Sequence, residues 1–353
     1  MKNKRLFLRE KNVNAHGVQM ATTIKDIAEY CRVSVGTVDR ALNGRTGINE
    51  KTKQRILEAA QLLNYHPNYI GQSLARGKTM TIGVVCFDLY NNFFPELIDN
   101  IERLAKERGY FIYLILTHRD FRLEEDGLKY LHERLVDGII LFPIGFSKGY
   151  IEFLHSLHIP IVTIYNKLGE NDFPFVGVDD RQAMEDAVKY LVDKGYTDIA
   201  YLTPDITGQE KEGLNTYTLR QRAQGYQDGM RRVGLKGIQT LEKGSMEERL
   251  ERYLKEHDFR EKSAILCLCD SYAIKAMKYL QQRGIRVPEQ IGIMGYDDIE
   301  QLNYVVPRIA TIKYSVPRMG KVAVDLLFRC MEKEECRGEY LLDYTIIDGG
   351  SLE

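Results

Sequence analysis

The chain has 353 residues, more than one ordinary hydrophobic core accommodates, so two or three compact units are expected. Its formal net charge is −1, and 44% of its residues are hydrophobic, as in globular proteins. No apolar run approaches the ~20 residues that span a bilayer, and the basic N-terminus lacks the apolar core of a signal peptide. Neither a membrane protein nor an exported one is expected, and we predict a cytoplasmic location.

Positive charge is concentrated in the first part of the chain. Up to Lys78 the sequence has fourteen lysine and arginine residues and six aspartate and glutamate residues, so the remainder is anionic. A solvated surface explains either part alone, but a basic segment attached to an acidic body is typical of a partner with a phosphate backbone.

The six cysteines are scattered along the chain without the spacing of a disulfide framework. Cys267 and Cys269 alternate within an apolar run, which favours a buried strand over half of a zinc site. The sequence predicts no metal site and no cofactor.

Residues 22–43 predict two short helices joined by a sharp turn. Ser34 stands at the N-cap position of the second helix, where its hydroxyl can accept from a free backbone amide. Helically spaced apolar residues give each helix one buried face: Ile24, Ile27, Ala28 and Cys31 in the first, and Val38, Ala41 and Leu42 in the second. This is the pattern of a helix-turn-helix.

The second helix begins with Val35, Gly36 and Thr37 and carries Arg40 one turn later, and none of these is needed to fill the core. Small residues allow a helix end to lie deep in a major groove, and an arginine can donate two hydrogen bonds to guanine. Asp39 can accept from cytosine or pair with Arg32, Arg40 or Arg45.

Two amphipathic helices are also compatible with any helical core, so the third helix decides between these interpretations. Asn49 can cap a helix that runs to about residue 64, with Ile56, Ala59, Leu62 and Leu63 on its inner face. Three such helices make a complete small DNA-binding domain.

The motifs of this region resemble those of the LacI/GalR family of bacterial transcription regulators. They are Thr23-Ile24, Asp26-Ile27-Ala28, Val33-Ser34, Thr37-Val38, Arg40, Leu42-Asn43, Asn64-Tyr65 and Pro67-Asn68. The resemblance implies a DNA-binding set of Thr23, Ser34, Val35, Gly36, Thr37, Arg40, Asn43, Asn68 and Leu74. It also implies a hinge helix in which Leu74 is an apolar wedge in a minor-groove base step; the alternative is a linker leucine that covers the next domain.

From residue 79 onward, apolar strands alternate with helices. The predicted strands are 82–87, 111–116, 138–142 and 161–165, then 199–202, 264–268, 291–296 and a last strand at 341–347. The predicted helices are 94–108, 123–134, 148–158, 182–194, 219–233 and 271–283. This alternation indicates two similar parallel-sheet halves with a ligand cleft at the carboxyl ends of their strands.

This part resembles the type I periplasmic sugar-binding fold. We therefore expect an all-α helix-turn-helix headpiece at 22–66, a hinge helix or linker at 67–78, and a two-lobed α/β effector domain at 79–353. The N-lobe would be 79–178 and 316–338, the C-lobe 179–315 and 339–353, with crossings near 178–180, 299–303 and 313–316. Residues 1–21 would be an extension, either a disordered basic arm or the result of a start codon upstream of Met20.

The same resemblance implies an effector site at the strand ends. Asn91, Phe93 and Phe94 follow the first strand, Arg222 belongs to an R-x-x-G motif, and Asp297 to a G-Y-D-D motif. Phe94 is the candidate aromatic plate, or else a core residue. Arg222 and Asp297 would bind ligand hydroxyls or a carboxylate, or else form a structural ion pair with each other.

Three positions depart from the sugar-binding pattern. Tyr165, before Asn166, stands where an aspartate is usual, Cys269 replaces an asparagine, and Tyr314 replaces a frequent glutamine. Because these changes remove hydroxyl-binding groups, we expect a more aromatic pocket. A glycoside, a disaccharide, a sugar acid or a polyol remains open as the effector.

The leading hypothesis is a homodimeric regulator, favoured as a repressor, that binds a palindromic operator under the control of a carbohydrate-like effector. A sugar-binding receptor would need a signal peptide and no headpiece. An enzyme lacks support because no dinucleotide fingerprint, Walker motif, G-x-S-x-G or HExxH motif occurs.

Overall fold

The computed structural model describes residues 22–66, 77–256 and 261–353. Contacts divide the chain into two compact units, Met1–Thr79 and Met80–Glu353. The expectations for residues 1–21 and for residues 67–76, including Asn68 and Leu74, lie outside the described residues.

Residues 22–66 of the first unit form three helices: α1 (Ile24–Cys31), α2 (Val35–Leu42) and α3 (Glu50–Leu62). Each begins at a side-chain cap: Thr23 forms a capping box with Asp26, Ser34 accepts from the Thr37 amide, and Asn49 accepts from the Lys51 amide. Their shared core consists of Ile27, Ala28, Cys31, Val38, Ala41, Ile56, Ala59 and Ala60. Burial of one stripe on each helix therefore holds the three helices together.

One core prediction in this unit is wrong. Leu62 was expected on the inner face of α3, but it is 45% exposed. Burial on α3 follows Ile56, Ala59 and Ala60 at helical spacing, and Leu62 lies off that stripe.

The second unit begins with a parallel six-stranded sheet in the order β11-β5-β4-β3-β1-β2. Its strands are β1 (Thr81–Cys86), β2 (Phe111–Leu116), β3 (Gly138–Leu141), β4 (Ile161–Ile164), β5 (Phe175–Val178) and β11 (Glu339–Leu342). The helices of this lobe are α4 (Phe93–Glu107), α5 (Phe121–Glu133), α6 (Lys148–Ser156) and α12 (Val316–Met331). Strands such as β3 and β4 are buried along their whole length, as expected for strands covered on both faces.

The other sheet has the order β12-β10-β9-β8-β6-β7, and only its edge strand β12 is antiparallel. Its strands are β6 (Asp198–Leu202), β7 (Gln239–Leu241), β8 (Ser263–Cys267), β9 (Ile291–Tyr296), β10 (Ala310–Tyr314) and β12 (Tyr344–Ile347). The helices are α7 (Asp180–Asp193), α8 (Ile206–Lys211), α9 (Tyr217–Arg232), α10 (Met246–Glu256) and α11 (Asp270–Gln282), with a 3₁₀ turn at Glu300–Tyr304.

The chain passes between the sheets at three points, of which two match the prediction. It leaves the first sheet after Val178 and returns after Tyr314. The expected crossing at 299–303 is wrong, because Ile299 and Leu302 are buried in the core of the second lobe.

The third crossing lies at Asp343 instead. The single strand predicted at 341–347 is two strands, since Leu342 pairs with Val178 in the first sheet and Tyr344 pairs with Tyr314 in the second. The Asp343 side chain between them is 91% exposed. The first sheet therefore gains residues 339–342, which were expected in the other lobe.

The six cysteines all have free thiols. Cys267 ends the buried strand β8 as predicted, whereas Cys269 lies two residues beyond it, at the N-cap of α11. Among the described residues no helix is both long and apolar enough to cross a membrane, and no group of three or more potential ligands could hold a metal.

Candidate functional site

The N-terminal end of α2 is an exposed surface. Ser34, Val35 and Gly36 are exposed, Thr37 is half-buried, and a Cβ atom built on Gly36 would meet no atom within 4 Å. The Ser34 hydroxyl lies 2.8 Å from that of Thr37, so the cap itself presents a polar pair to solvent. These residues leave an open approach to the first turn of the helix.

Arg40 lies on the same exposed side of α2. Its Nε donates to the Gly36 carbonyl over 3.1 Å, which fixes the root of the guanidinium against the helix. Among the described residues the two terminal nitrogens of Arg40 have no hydrogen-bond or ion-pair partner, so both remain available as donors. Asp39 pairs with Arg45 at 3.3 Å, and not with Arg40.

Thr23 and Asn43 have local structural roles at the two ends of the motif. Thr23 is the exposed N-cap of α1. The Asn43 side-chain amide donates to one oxygen of the Asp39 carboxylate over 2.8 Å, and Arg45 donates to the other.

The two sheets of the second unit enclose a cavity of about 440 Å³. It lies at the carboxyl ends of the strands, where ligands of open α/β sheets bind. Eight residues predicted for an effector site line it: Asn91, Phe93, Phe94, Tyr165, Asn166, Arg222, Cys269 and Asp297.

Aromatic rings form one wall of the cavity. The ring centroid of Phe94 lies 5.0 Å from that of Phe93 and 5.5 Å from that of Phe87, both edge to face. Tyr165 packs against the same group, 5.9 Å from Phe94. Because Phe93 and Phe94 are each 4% exposed, they serve the core and the cavity wall at once.

Arg222 is the central cation of the cavity. Its Nε donates to Asp180 over 2.8 Å, one terminal nitrogen donates to the Leu268 carbonyl over 2.7 Å, and the other lies 3.7 Å from Asp297. The guanidinium carbon lies 3.6 Å above the Tyr296 ring. Burial alone would lower the pKa of Arg222, but the Asp180 carboxylate raises it well above its usual value, so the cation persists.

Gly225 explains how α9 brings Arg222 to this position. A Cβ atom at Gly225 would lie 2.1 Å from the Arg181 carbonyl oxygen of α7. The two helices can therefore approach closely only with glycine there, and Arg222, one turn earlier, lies beside Asp180 at the start of α7.

Asp297 follows β9 and has an unusual backbone. Its φ is 111°, in the region that favours glycine, and strain of this kind costs roughly 1–3 kcal/mol. Burial raises the pKa of the carboxyl to about 6, against the opposing effects of Arg222 and Tyr314. Arg222 and Asp297 thus form the ion pair that was one of the two alternatives expected from the sequence, and both residues also line the cavity.

Tyr314 does not line this cavity, contrary to prediction. Its ring is 7% exposed, and its hydroxyl donates to Asp297 over 3.0 Å. A tyrosine at the end of β10 therefore contacts the aspartate from behind the cavity wall.

Asn166 lines the cavity but uses its side chain to join the two lobes. Its side-chain nitrogen donates to the carbonyls of Pro143 and Asn215, and its oxygen accepts from the Thr218 amide. The carbonyls of Ile144 and Tyr165 accept from the Asn215 amide and the Thr218 hydroxyl. This set of bonds closes one edge of the cleft.

Sequence reasoning missed several residues of the cavity, among them Asp88, Tyr90, Arg119 and Lys275. Arg119 lies three residues beyond the end of β2, a strand end that carried no motif, and its Nε is 3.6 Å from Asp88. Tyr90 is 90% exposed at the cavity mouth. Position after a strand end was the available signal for Asp88, Tyr90 and Arg119.

Comparison with known proteins identifies the family. Residues 23–68 match the model of bacterial regulatory proteins of the lacI family, and residues 188–352 match a periplasmic binding protein-like domain. The HTH-type transcriptional regulator RegA of Clostridium acetobutylicum is 32% identical over 95% of this chain and 100% of its own. Catabolite control protein A of Priestia megaterium is 30% identical over 89% of this chain and 94% of its own.

Solved structures agree with the predicted fold class. The lac repressor dimer bound to operator and the anti-inducer ONPF has a TM-score of 0.82 at 22% identity, covering 94% of this chain and 99% of that one. The matched RegA is an HTH-type transcriptional regulator and not an enzyme. The chain therefore belongs to the lacI family of bacterial regulatory proteins and is a DNA-binding transcriptional regulator.

Proposed function

We propose that this regulator binds a palindromic operator as a homodimer and that a carbohydrate-like ligand in the interlobe cavity controls the binding. We further place it in the cytoplasm and assign repression as its action. The observation that carries the ligand part is the buried Arg222–Asp297 pair of the second lobe, which lines an interlobe cavity large enough for a small molecule.

For DNA, the support is the exposed first turn of α2. Ser34, Val35, Gly36 and Thr37 would approach the major groove, and Arg40 would donate its two free terminal nitrogens to a guanine. Thr23 and Asn43 flank this surface, at the ends of α1 and α2, and would contact phosphates. Asn68 and Leu74, outside the described residues, complete the proposed set.

A homodimer follows from the size of the headpiece. A three-helix domain offers too little surface for tight specific binding, whereas two copies related by a two-fold axis double the contacts and read a palindrome. The lac repressor structure similar to this chain is a dimer on its operator.

For the ligand, aromatic rings would cover the apolar face of a sugar while charged groups bind its hydroxyls. Phe93, Phe94 and Tyr165 supply the rings, and Arg222 and Asp297 the donor and acceptor. Asn91, Asn166 and Cys269 would contribute the remaining wall. Related folds bind sugars at low sequence identity: CelR is solved with cellobiose and a regulator from Alkaliphilus metalliredigens with D-xylulofuranose.

We assign residues 22–66 to the DNA-binding domain, 67–78 to the hinge and 79–353 to the ligand-binding domain. Ligand binding between the lobes would change their closure, and we propose that this change is coupled to DNA binding. Either direction of coupling, release or promotion of DNA binding by the ligand, is compatible with this arrangement.

The test is a mobility shift with DNA flanking the gene, with and without a panel of sugars, glycosides and sugar acids. The proposal expects one retarded complex whose affinity changes with at least one ligand. Asp297→Asn should retard the same DNA but lose the ligand response. Failure to retard any flanking DNA, with or without ligands, would contradict the operator part of the proposal.

A further inference from the structure

Tyr314 occupies a position between the cavity and a crossing of the chain. It is the last residue of β10, and the next residue, Ser315, caps α12, which packs on the other lobe. The Tyr314 hydroxyl lies 3.0 Å from Asp297 Oδ1, and both side chains are buried. One hydrogen bond therefore links a cavity residue to the crossing segment.

Asp297 forms the wall between two cavities. It lines the interlobe cavity and also a second space of about 420 Å³ beside the crossings. Tyr314 lines only the second space, together with Ser315 and Asp343 of the crossing segments. A ligand in the interlobe cavity can therefore contact Asp297 without contacting Tyr314.

We propose that Tyr314 is a positioning residue, which acts from behind the cavity wall to hold the Asp297 carboxylate ionised and oriented toward the ligand. The consequence for ligand binding rests on the function proposed above. The hydrogen bond itself and its effect on Asp297 do not.

The strained backbone of Asp297 supports this role. A non-glycine residue at φ 111° has no intrinsic preference for that conformation, so its surroundings must impose it. Next to it, Asp298 is held by Arg308 at 2.6 Å and Lys313 at 2.7 Å. Asp298 is thus fixed on one side of Asp297, and Tyr314 donates to the Asp297 carboxylate itself.

The groups that face Asp297 act in opposite directions. Those that favour its ionised form are the guanidinium of Arg222, the hydroxyl of Tyr314 and the side chain of Asn91, whereas burial and Asp180 oppose it. Other titratable groups around it are Tyr165, Cys269, Asp270, Tyr296 and Asp298. Tyr314 contributes an uncharged donor to this set. Tyr314→Phe removes that donor by the loss of a single oxygen atom.

The sign of the effect follows from linkage. Burial raises the pKa of Asp297 to about 6 in the folded protein, so the folded state keeps this proton to a higher pH than the unfolded state does. The stability that Asp297 contributes is therefore full at low pH and is lost as pH rises through 6. Loss of the Tyr314 hydroxyl raises this pKa further. The variant therefore loses additional stability above pH 6, while below pH 5 Asp297 is protonated with or without the hydroxyl.

A double-mutant cycle on the full chain tests the inference. Urea midpoints are measured at pH 5 and pH 8 for the wild type, Tyr314→Phe, Asp297→Asn and the double variant. The drop in midpoint caused by Tyr314→Phe should be larger at pH 8 than at pH 5, and in the Asp297→Asn background this difference should vanish. A drop that is the same at both pH values, or a pH dependence that survives Asp297→Asn, would overturn the inference.

Tyr344→Phe is the matched control. Tyr344 lines the same second space, but its hydroxyl donates to Asp186 over 2.6 Å, so the effect of Tyr344→Phe should be the same in the wild type and in the Asp297→Asn background. If the double variant does not fold, NMR titration of chains labelled with ¹³C-carboxyl aspartate replaces the cycle: the Asp297 resonance, identified by its loss in Asp297→Asn, should titrate at higher pH in Tyr314→Phe. An unchanged titration would overturn the inference.

This outcome is separable from that of the proposed function. A DNA complex whose affinity changes with no ligand would contradict the proposed regulation, but it would not affect the result expected from the double-mutant cycle. A cycle in which the effect of Tyr314→Phe does not depend on pH would rule out the proposed role of Tyr314 and leave the cavity as a candidate ligand site.

Discussion

The side-chain amide of Asn166 donates a hydrogen bond to the backbone carbonyl of Asn215 across the cleft, over 3.1 Å. Asn166 follows β4 of the first lobe, and Asn215 precedes α9 of the second. The Asn215 amide donates back to the Ile144 carbonyl over 2.6 Å. The lobes are thus joined at this edge by reciprocal bonds as well as by the chain crossings.

Asn166→Ala should loosen this edge. The change leaves the buried Thr218 amide without its acceptor, and an unpaired buried group costs about 1–3 kcal/mol. We expect a lower free energy of unfolding by that amount and faster hydrogen exchange at the Thr218 amide. Thr216→Val is the control, because its hydroxyl bonds to Glu210 within the second lobe; equal exchange rates at Thr218 in the two variants would contradict the prediction.

Arg222→Ala should be strongly destabilising. It removes the cation between Asp180 and Asp297 and leaves buried carboxylates without compensation, a change that costs about 3–5 kcal/mol. The loss should be larger at pH 8 than at pH 5, since at low pH Asp297 is protonated. The control is Arg220→Ala on the same helix. Its pair with Glu210 is partly exposed to solvent, so its loss should change the urea midpoint much less than Arg222→Ala does.

Glu124 gives a second pH-dependent prediction. Its buried carboxylate accepts from the amides of Ile144 and Gly145 and from the Tyr150 hydroxyl, beneath the loop that reaches Asn215. Burial raises its pKa to about 7, so the folded chain binds one more proton than the unfolded chain between about pH 4.5 and 7.

The free energy of unfolding that Glu124 contributes should therefore fall by roughly 2–4 kcal/mol as pH rises across that range. Glu124→Gln, which cannot titrate, should flatten this part of the profile of unfolding free energy against pH. A slope in Glu124→Gln identical to that of the wild type would show that another group is responsible.

Arg40→Ala should relax operator specificity at one base pair. If Arg40 donates two hydrogen bonds to guanine, its loss costs about 1–3 kcal/mol at that position and little elsewhere. Arg40→Lys is the matched control, because it keeps the charge but not the paired donors. Binding to a set of single-base operator variants measures both, and an unchanged preference in Arg40→Ala would refute the base contact.

The headpiece and most strands were predictable because local patterns determine them. The spacing of apolar residues predicted α1 and α2, and the caps Ser34 and Asn49 predicted where two helices begin. Unbroken apolar runs predicted the strands that are buried on both faces. The crossing at Asp343 was not predictable, since residues 341–347 read as one strand with a single charged interruption. Pairing with different sheets, a non-local interaction, divides them.

The cavity was predictable to a similar degree. Motif residues such as Arg222 and Asp297 do line it, because strand ends in a parallel sheet meet at one edge. Tyr314 was placed wrongly since the motif gave its position in the chain and not the direction of its ring. Arg119 was missed because the strand end that it follows carries no motif, and Lys275 was missed because no pattern in the sequence relates its helix to the cleft.

The most direct test of ligand control is the anisotropy of labelled flanking DNA bound by the full chain during titration with sugars, glycosides and sugar acids. The account predicts that at least one ligand changes the DNA affinity of the wild type by about tenfold or more and leaves that of Asp297→Asn unchanged. No response to any ligand, or the same response in both proteins, would contradict control of DNA binding through this cavity.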